Sequence, residues 1–200
     1  MFGPGRVRDT PDHVNDPLSV SLAGSIFEAI LTLGLGGPRM LTSDGLLIWF
    51  QQCNVPESSR ATINQVRSAA PSRRVRGGRS NVSGRYPSRK MGMTVQFESH
   101  RVELAGIYEM EHDAGVLEYY DQPPPIKLDY ESAAGKNLGV VHTPDFFVIR
   151  DAEAGWEEWK TEEDLQRLSE HNPNRYCPGQ DGRWCCPPGC TGGAAATSGR

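Results

Sequence analysis

Apolar and polar positions alternate most sharply between His142 and Lys160. Phe146-Phe147-Val148-Ile149 is apolar and β-favouring, Asp151 to Gly155 is turn-like, and Trp156-Glu157-Glu158-Trp159-Lys160 alternates bulky and charged residues. The pattern predicts a β-hairpin with a loop of about five residues. Period two puts Trp156, Glu158 and Lys160 on one face and Glu157 and Trp159 on the other. Upstream, Val116 to Tyr120, Ile126 to Tyr130 and Val140 to Ile149 read as strands. Pro123–Pro125 ends the first of them, and the turn-rich Ser132 to Gly139 joins the other two. Glu98 to Glu111 reads as a helix whose apolar face combines Phe97, Leu104, Ile107 and Tyr108, with Met93 to Phe97 as a short strand leading into it. A further helix runs from Gly45 to Cys53, capped by Thr42, Ser43 or Asp44. Another runs from Glu57 to Ala69 and buries Ala61, Ile63 and Val66. The two read as a helical cap on the main domain in preference to a helix-turn-helix, because no recognition-helix pattern stands out.

Composition changes the picture at the two ends. A hydrophobic content of 37% and a mean hydropathy of −0.52 are low for a chain packed throughout, so disordered termini are expected. The apolar run Leu18 to Gly36 has Glu28 in its middle and is diluted by Ser and Gly. An amphipathic or buried helix, or disorder, fits it better than a membrane span. Four of the five cysteines, Cys177, Cys185, Cys186 and Cys190, crowd the C-terminal part. With no clean secretory signal this favours a reducing cytoplasm over a disulfide scaffold, and the spacing is not that of paired C-x-x-C zinc ligands. The expected organisation is a weakly structured segment over 1–40, a small helical region over 41–70, a basic strap over 71–92, a core over 93–176 and a disordered Cys/Gly/Ala-rich tail over 177–200.

Charge separates the strap from the rest. Arg67, Arg73, Arg74, Arg76, Arg79, Arg85, Arg89 and Lys90 follow one another with no acid between them, so this block holds +8 in a chain whose net charge is −4. Gly77-Gly78 and Ser83-Gly84 argue against a regular helix. A flexible basic strap makes phosphate contacts that are salt-dependent and largely blind to sequence. Arg73, Arg74, Arg76, Arg79, Arg85, Arg89 and Lys90 are therefore the expected contacts to nucleic acid, with a solvated linker as the alternative.

The hairpin carries the candidate chemistry. It returns Glu158 and Lys160 toward Asp145, gathering two carboxylates and an amine. Hard oxygen ligands suit Mg²⁺ or Mn²⁺, which activates water and stabilises charge on a phosphate, while an ammonium can orient that water. Glu98 and Glu103 flank the apolar face of the central helix, and either can be a third ligand. An acid on a helix followed by an acid and Glu-x-Lys on a hairpin fits an α/β sheet nuclease.

Phe97-Glu98-Ser99-His100-Arg101-Val102-Glu103, Val116, Gln122-Pro123, His142-Thr143-Pro144-Asp145-Phe146 and Glu158-Trp159-Lys160, in that order, resemble the TnsA family of transposon-end endonucleases. The similarity runs from about Pro71 to Tyr176, and the ordered set is more specific than any one motif. The resemblance implies a restriction-endonuclease-like PD-(D/E)xK core. It implies catalytic roles for Glu103, Asp145, Glu158 and Lys160, with Mg²⁺ (or Mn²⁺) held by the three acids, and accessory roles for Glu98 and Gln122. Its further implication is cleavage of the 5′ ends of a transposon beside a DDE transposase of the TnsB type. An assembly subunit that has lost catalysis, and another nuclease of the same fold such as a resolvase or restriction enzyme, are the alternatives. Two departures stand out. One extra residue separates Glu98 from Glu103. The acidic run Thr161-Glu162-Glu163-Asp164 would repel DNA unless it opens a helix, for which Glu163 to Ser169 is suited. Family members continue with another strand and helix where this chain becomes low-complexity, so a truncation or frameshift near Pro187 is expected, leaving the sheet without an edge element.

Overall fold

A computed structural model describes residues 40–74, 82–132, 134–178, 184–185 and 194–199; of 185 and 194–199 it describes the backbone alone. The expected 1–40 segment, with its apolar run, falls almost wholly outside these residues, as do Arg76, Arg79, Cys186 and Cys190.

Helix α1 (Ser43–Gln52) starts where Thr42 Oγ1 accepts the Gly45 N–H at 3.1 Å, so Thr42 is the cap. It buries Leu46, Trp49 and Phe50. Helix α2 (Glu57–Ser68) buries Ile63 and Val66, whereas Ala61 faces solvent. Both helices are tied to the sheet by polar groups. The Trp49 indole N–H donates to the Arg150 carbonyl at 2.8 Å, and Arg67 pairs with fully buried Glu118 through two hydrogen bonds of 2.9 Å. Glu118 also accepts from the Leu41 N–H and the Tyr120 hydroxyl. The two helices thus lie against the sheet. The pairing also removes Arg67 from the exposed basic block, because its charge is spent on Glu118.

Strand β1 (Gly84–Pro87), inside the expected strap, pairs antiparallel with β2 (Thr94–Phe97), which occupies the expected lead-in strand. Helix α3 (Glu103–His112) begins five residues later than its pattern suggested. The chain from Glu98 to Val102 is instead a turn: the Val102 N–H donates to Ser99 Oγ and the Leu104 N–H to the Ser99 carbonyl. Tyr108 does not join the buried face. It is 48% exposed and meets Tyr86 edge-on at 5.4 Å.

Strand β3 (Val116–Asp121) is buried along its whole length. β4 (Ile126–Glu131) and β5 (Asn137–His142) pair only with each other, antiparallel. The run expected as one strand over 140–149 is divided, since β6 (Phe146–Arg150) starts only after Thr143-Pro144-Asp145. β7 (Ala154–Thr161) completes the expected hairpin with β6. Helix α4 (Glu162–His171) follows at once, capped by Thr161, whose Oγ1 accepts the Asp164 N–H at 3.1 Å. The acidic run is thus the first turn of a helix, where carboxylates favour the macrodipole.

The sheet has the order β3-β6-β7-β10-β9-β8. β8 (Cys177–Pro178), β9 (Trp184–Cys185) and β10 (Ala194–Gly199) lie in the segment expected to be disordered. β10 runs parallel to β7, with Ser198 opposite Lys160, so the expected bare edge is filled. Helix α3 packs on β3 and β7, and α4 on β7 and β10. The architecture is a mixed α/β one with four helices among the described residues, consistent with an α/β nuclease. No helix among them is long and apolar enough to cross a membrane.

Candidate functional site

The site lies where β6 and β7 part. Their last paired residues are Phe146 and Glu157, so Asp145 has already left the ladder. Pro144 lacks an N–H and interrupts pairing just before it. The Asp145 side chain then takes the place of a ladder carbonyl, its Oδ2 accepting the Trp159 N–H at 2.8 Å. The carboxylate is therefore fixed by the backbone of the strand that carries Glu158 and Lys160.

Glu103 arrives from the opposite element. It is the first residue of α3, is buried at 7% exposure, and its Oε2 accepts the Glu98 N–H at 2.8 Å. Gly106, three residues on and on the same helical face, sets how close the helix comes. A Cβ there would stand 2.6 Å from two ring carbons of Trp159. Glycine lets α3 settle directly on the residue whose N–H holds Asp145.

On β7, Lys160 Nζ lies 2.7 Å from Glu158 Oε1. His142 Nε2 is 3.4 Å from Glu158 Oε2, an ion pair only while the imidazole is protonated and not an aligned hydrogen bond. Glu98, Glu103, Asp145, Glu158 and Lys160 line one cleft of about 650 Å³, with Arg73 at its wall. All four expected catalytic residues, and the accessory Glu98, are thus brought together. Gln122 stands behind the wall in a left-handed conformation (φ 46°), uncommon for a residue other than glycine. Its N–H donates to the Asp145 carbonyl at 2.9 Å, and its Oε1 accepts Arg73 Nε at 2.6 Å. Arg73 also pairs with Glu98 at 3.0 Å, so Gln122 braces both an acid and a base of the cleft.

The electrostatics divide the acids. Burial, and then the neighbouring Asp145 charge, push Glu103 up to about 7. Burial, and then the Glu158 charge, push Asp145 up to about 6 against the stabilising Trp159 N–H. Burial would raise Glu158 as well, but His142 and Lys160 outweigh it and hold that carboxyl at about 2. Two carboxyls that resist ionisation beside one that is fully charged are a site short of positive charge.

The strap residues divide three ways. Arg73 reaches the cleft, while Arg74, Arg85 and Arg89 are exposed. Lys90 is a correction. It is buried, and its ammonium donates to the carbonyls of Met110, Asp113 and Val116 at 2.6–2.7 Å, satisfying the end of α3. It is not placed to meet a phosphate. The pattern of the sequence also passed over His142, Gly106, Arg167 and Arg175. Only His142, next to the Thr-Pro-Asp motif, had a local signal.

A sequence model of the family described as TnsA-like endonuclease, N-terminal, matches residues 113–185. That stretch is similar to a TnsA-type nuclease N-terminal domain. It contains Asp145, Glu158 and Lys160 and begins after Glu103, so the TnsA-like match covers the hairpin half of the cleft and not the helix acid. No curated protein matches the chain.

The donor set partly fits a divalent cation. Among the described residues no three His, Cys, Asp or Glu side chains are grouped as metal ligands. Each acid is engaged within the chain: Glu103 by the Glu98 N–H, Asp145 by the Trp159 N–H, and Glu158 by Lys160 and His142. Glu103 and Asp145 keep oxygens that a cation would neutralise. Glu158 would have to exchange Lys160 for the ion.

Proposed function

We propose that this chain is a metal-dependent DNA endonuclease of a heteromeric transposase, with a PD-(D/E)xK site. In this reading it cuts the 5′ ends of transposon DNA beside a DDE transposase of the TnsB type. The observation that carries the proposal is the convergence of Glu103, Asp145, Glu158 and Lys160 on one cleft from α3, the β6 entrance and β7. The TnsA-like match to 113–185 supports the transposon setting.

Glu103, Asp145 and Glu158 would hold Mg²⁺ or Mn²⁺, which supplies Lewis-acid stabilisation of the phosphate and a more acidic water. The chain supplies the rest. The Trp159 N–H fixes Asp145, and Gln122 fixes the peptide behind it. Lys160 orients the attacking water. That water adds to phosphorus, the bond to the 3′ oxygen breaks, and a 5′-phosphate and a 3′-hydroxyl remain. Arg73, Arg74, Arg85 and Arg89 hold the duplex, and sequence choice falls to the partner. Asp145→Ala and Lys160→Ala each abolish nicking of transposon-end DNA with the partner present, and leave duplex affinity within about twofold. Undiminished cleavage by both variants would end the proposal.

The closed Glu158–Lys160 pair favours a second reading, an assembly subunit that binds DNA without cutting it. A folded sample that takes up no Mn²⁺ in titration calorimetry, yet binds duplex, would be that subunit.

A further inference from the structure

We propose that Arg175 is the phosphate anchor of the cleft, taking one backbone phosphate of the DNA beside the reacting centre. The inference rests on the nuclease reading above. The other basic side chains at the cleft are each matched by an acid: Arg73 by Glu98, Lys160 by Glu158, and Arg167 by Asp164. Arg175 lines the same cleft, and among the described residues no carboxylate pairs with it.

Its position is set in advance. The guanidinium lies 5.2 Å from the Tyr176 ring centre and 6.0 Å from that of Tyr130. The turn that carries it is closed by the Arg175 N–H on the Asn172 carbonyl at 2.9 Å, and is fastened to β4 by Asn174 Nδ2 on the Glu131 carbonyl at 2.9 Å. A planar cation resting on aromatic faces keeps its N–H edge for an oxyanion, and a fork held in place loses little freedom when it binds. A phosphate diester offers the two oxygens that such a fork meets. If instead the stack only ties the turn to the β4–β5 hairpin, its charge is irrelevant to DNA.

The test is duplex binding by the full chain, without divalent ions, across a salt series. Arg175→Gln weakens affinity about tenfold. It also flattens the slope of log affinity against log salt by about 0.9, the signature of one lost phosphate contact. Arg175→Lys, which keeps the charge, keeps the wild-type slope. A wild-type slope in Arg175→Gln, or a slope lost equally in Arg175→Lys, overturns the anchor and leaves the nuclease reading standing. A wild-type chain that binds no duplex overturns both. Should Arg175→Gln not fold, wild-type protein treated with phenylglyoxal and read by mass spectrometry decides: duplex protects Arg175 if it is the anchor, and equal modification with and without duplex overturns it.

Discussion

Glu103 and Asp145 keep protons at a pH where exposed carboxyls have lost them. Their folded values, about 7 and about 6, lie above the ordinary 4.5 and 3.8. Between those limits the unfolded chain holds fewer protons than the folded one, so these groups make stability fall as pH rises through that window. Glu158 has the opposite sign. Held at about 2, it contributes stability above its ordinary 4.5 that is lost as pH falls toward 2. Glu103→Gln keeps the acceptor for the Glu98 N–H and removes the buried charge. It should stabilise the cation-free protein at pH 8 by on the order of 1–3 kcal/mol and change little at pH 5, read by thermal melts at both. Lys90 gives a contrasting test. Lys90→Met leaves three carbonyls without their donor and should cost roughly 2–4 kcal/mol in denaturant titration, with duplex affinity of the folded protein unchanged. The sequence marked Lys90 as basic, but its burial depends on where α3 ends and β3 begins, which no local pattern records. Arg175 was equally silent, since what distinguishes it is that no carboxylate among the described residues pairs with it and that a tyrosine of β4, Tyr130, lies beside it as well as its neighbour Tyr176.

Among the elements, the β6–β7 hairpin was legible because alternation, turn and apolar run all agree. Its registry also explains the site, since Asp145 can reach the Trp159 N–H only because β6 pairing stops at Phe146. The start of α3 was not legible. Glu98 to Val102 has no breaker, and the turn there is decided by Ser99 and by Glu103 reaching back to the Glu98 N–H. Gly106, which the helical pattern passed over, proves to be the contact that seats it. Gly106→Ala gains about 1 kcal/mol of helix propensity but drives a methyl into a rigid indole. The net expectation is a loss of about 1–3 kcal/mol, measured by chemical denaturation, with nicking reduced more than duplex binding because Glu103 moves with the helix. β10 was missed for a different reason. Alanine, serine and glycine carry little strand preference, and it is the open edge of β7 that recruits them.

For the whole molecule, the charge asymmetry stands in reduced form. Of the eight basic residues from Arg67 to Lys90, Arg67 and Lys90 are consumed inside the fold. The exposed Arg74, Arg85 and Arg89 remain, with Arg73 at the cleft. The acidic run after Lys160 is turned into the head of α4, and of its acids Asp164 lines the cleft while Glu162 and Glu163 do not. Everything else depends on whether the three acids share one ion. A crystal of the full chain soaked in Mn²⁺ answers this through its anomalous scattering. A peak is expected about 2.0–2.2 Å from carboxylate oxygens of Glu103, Asp145 and Glu158, with Lys160 released from Glu158. No peak in the cleft, with the Glu158–Lys160 pair still closed at saturating Mn²⁺, would contradict a shared ion.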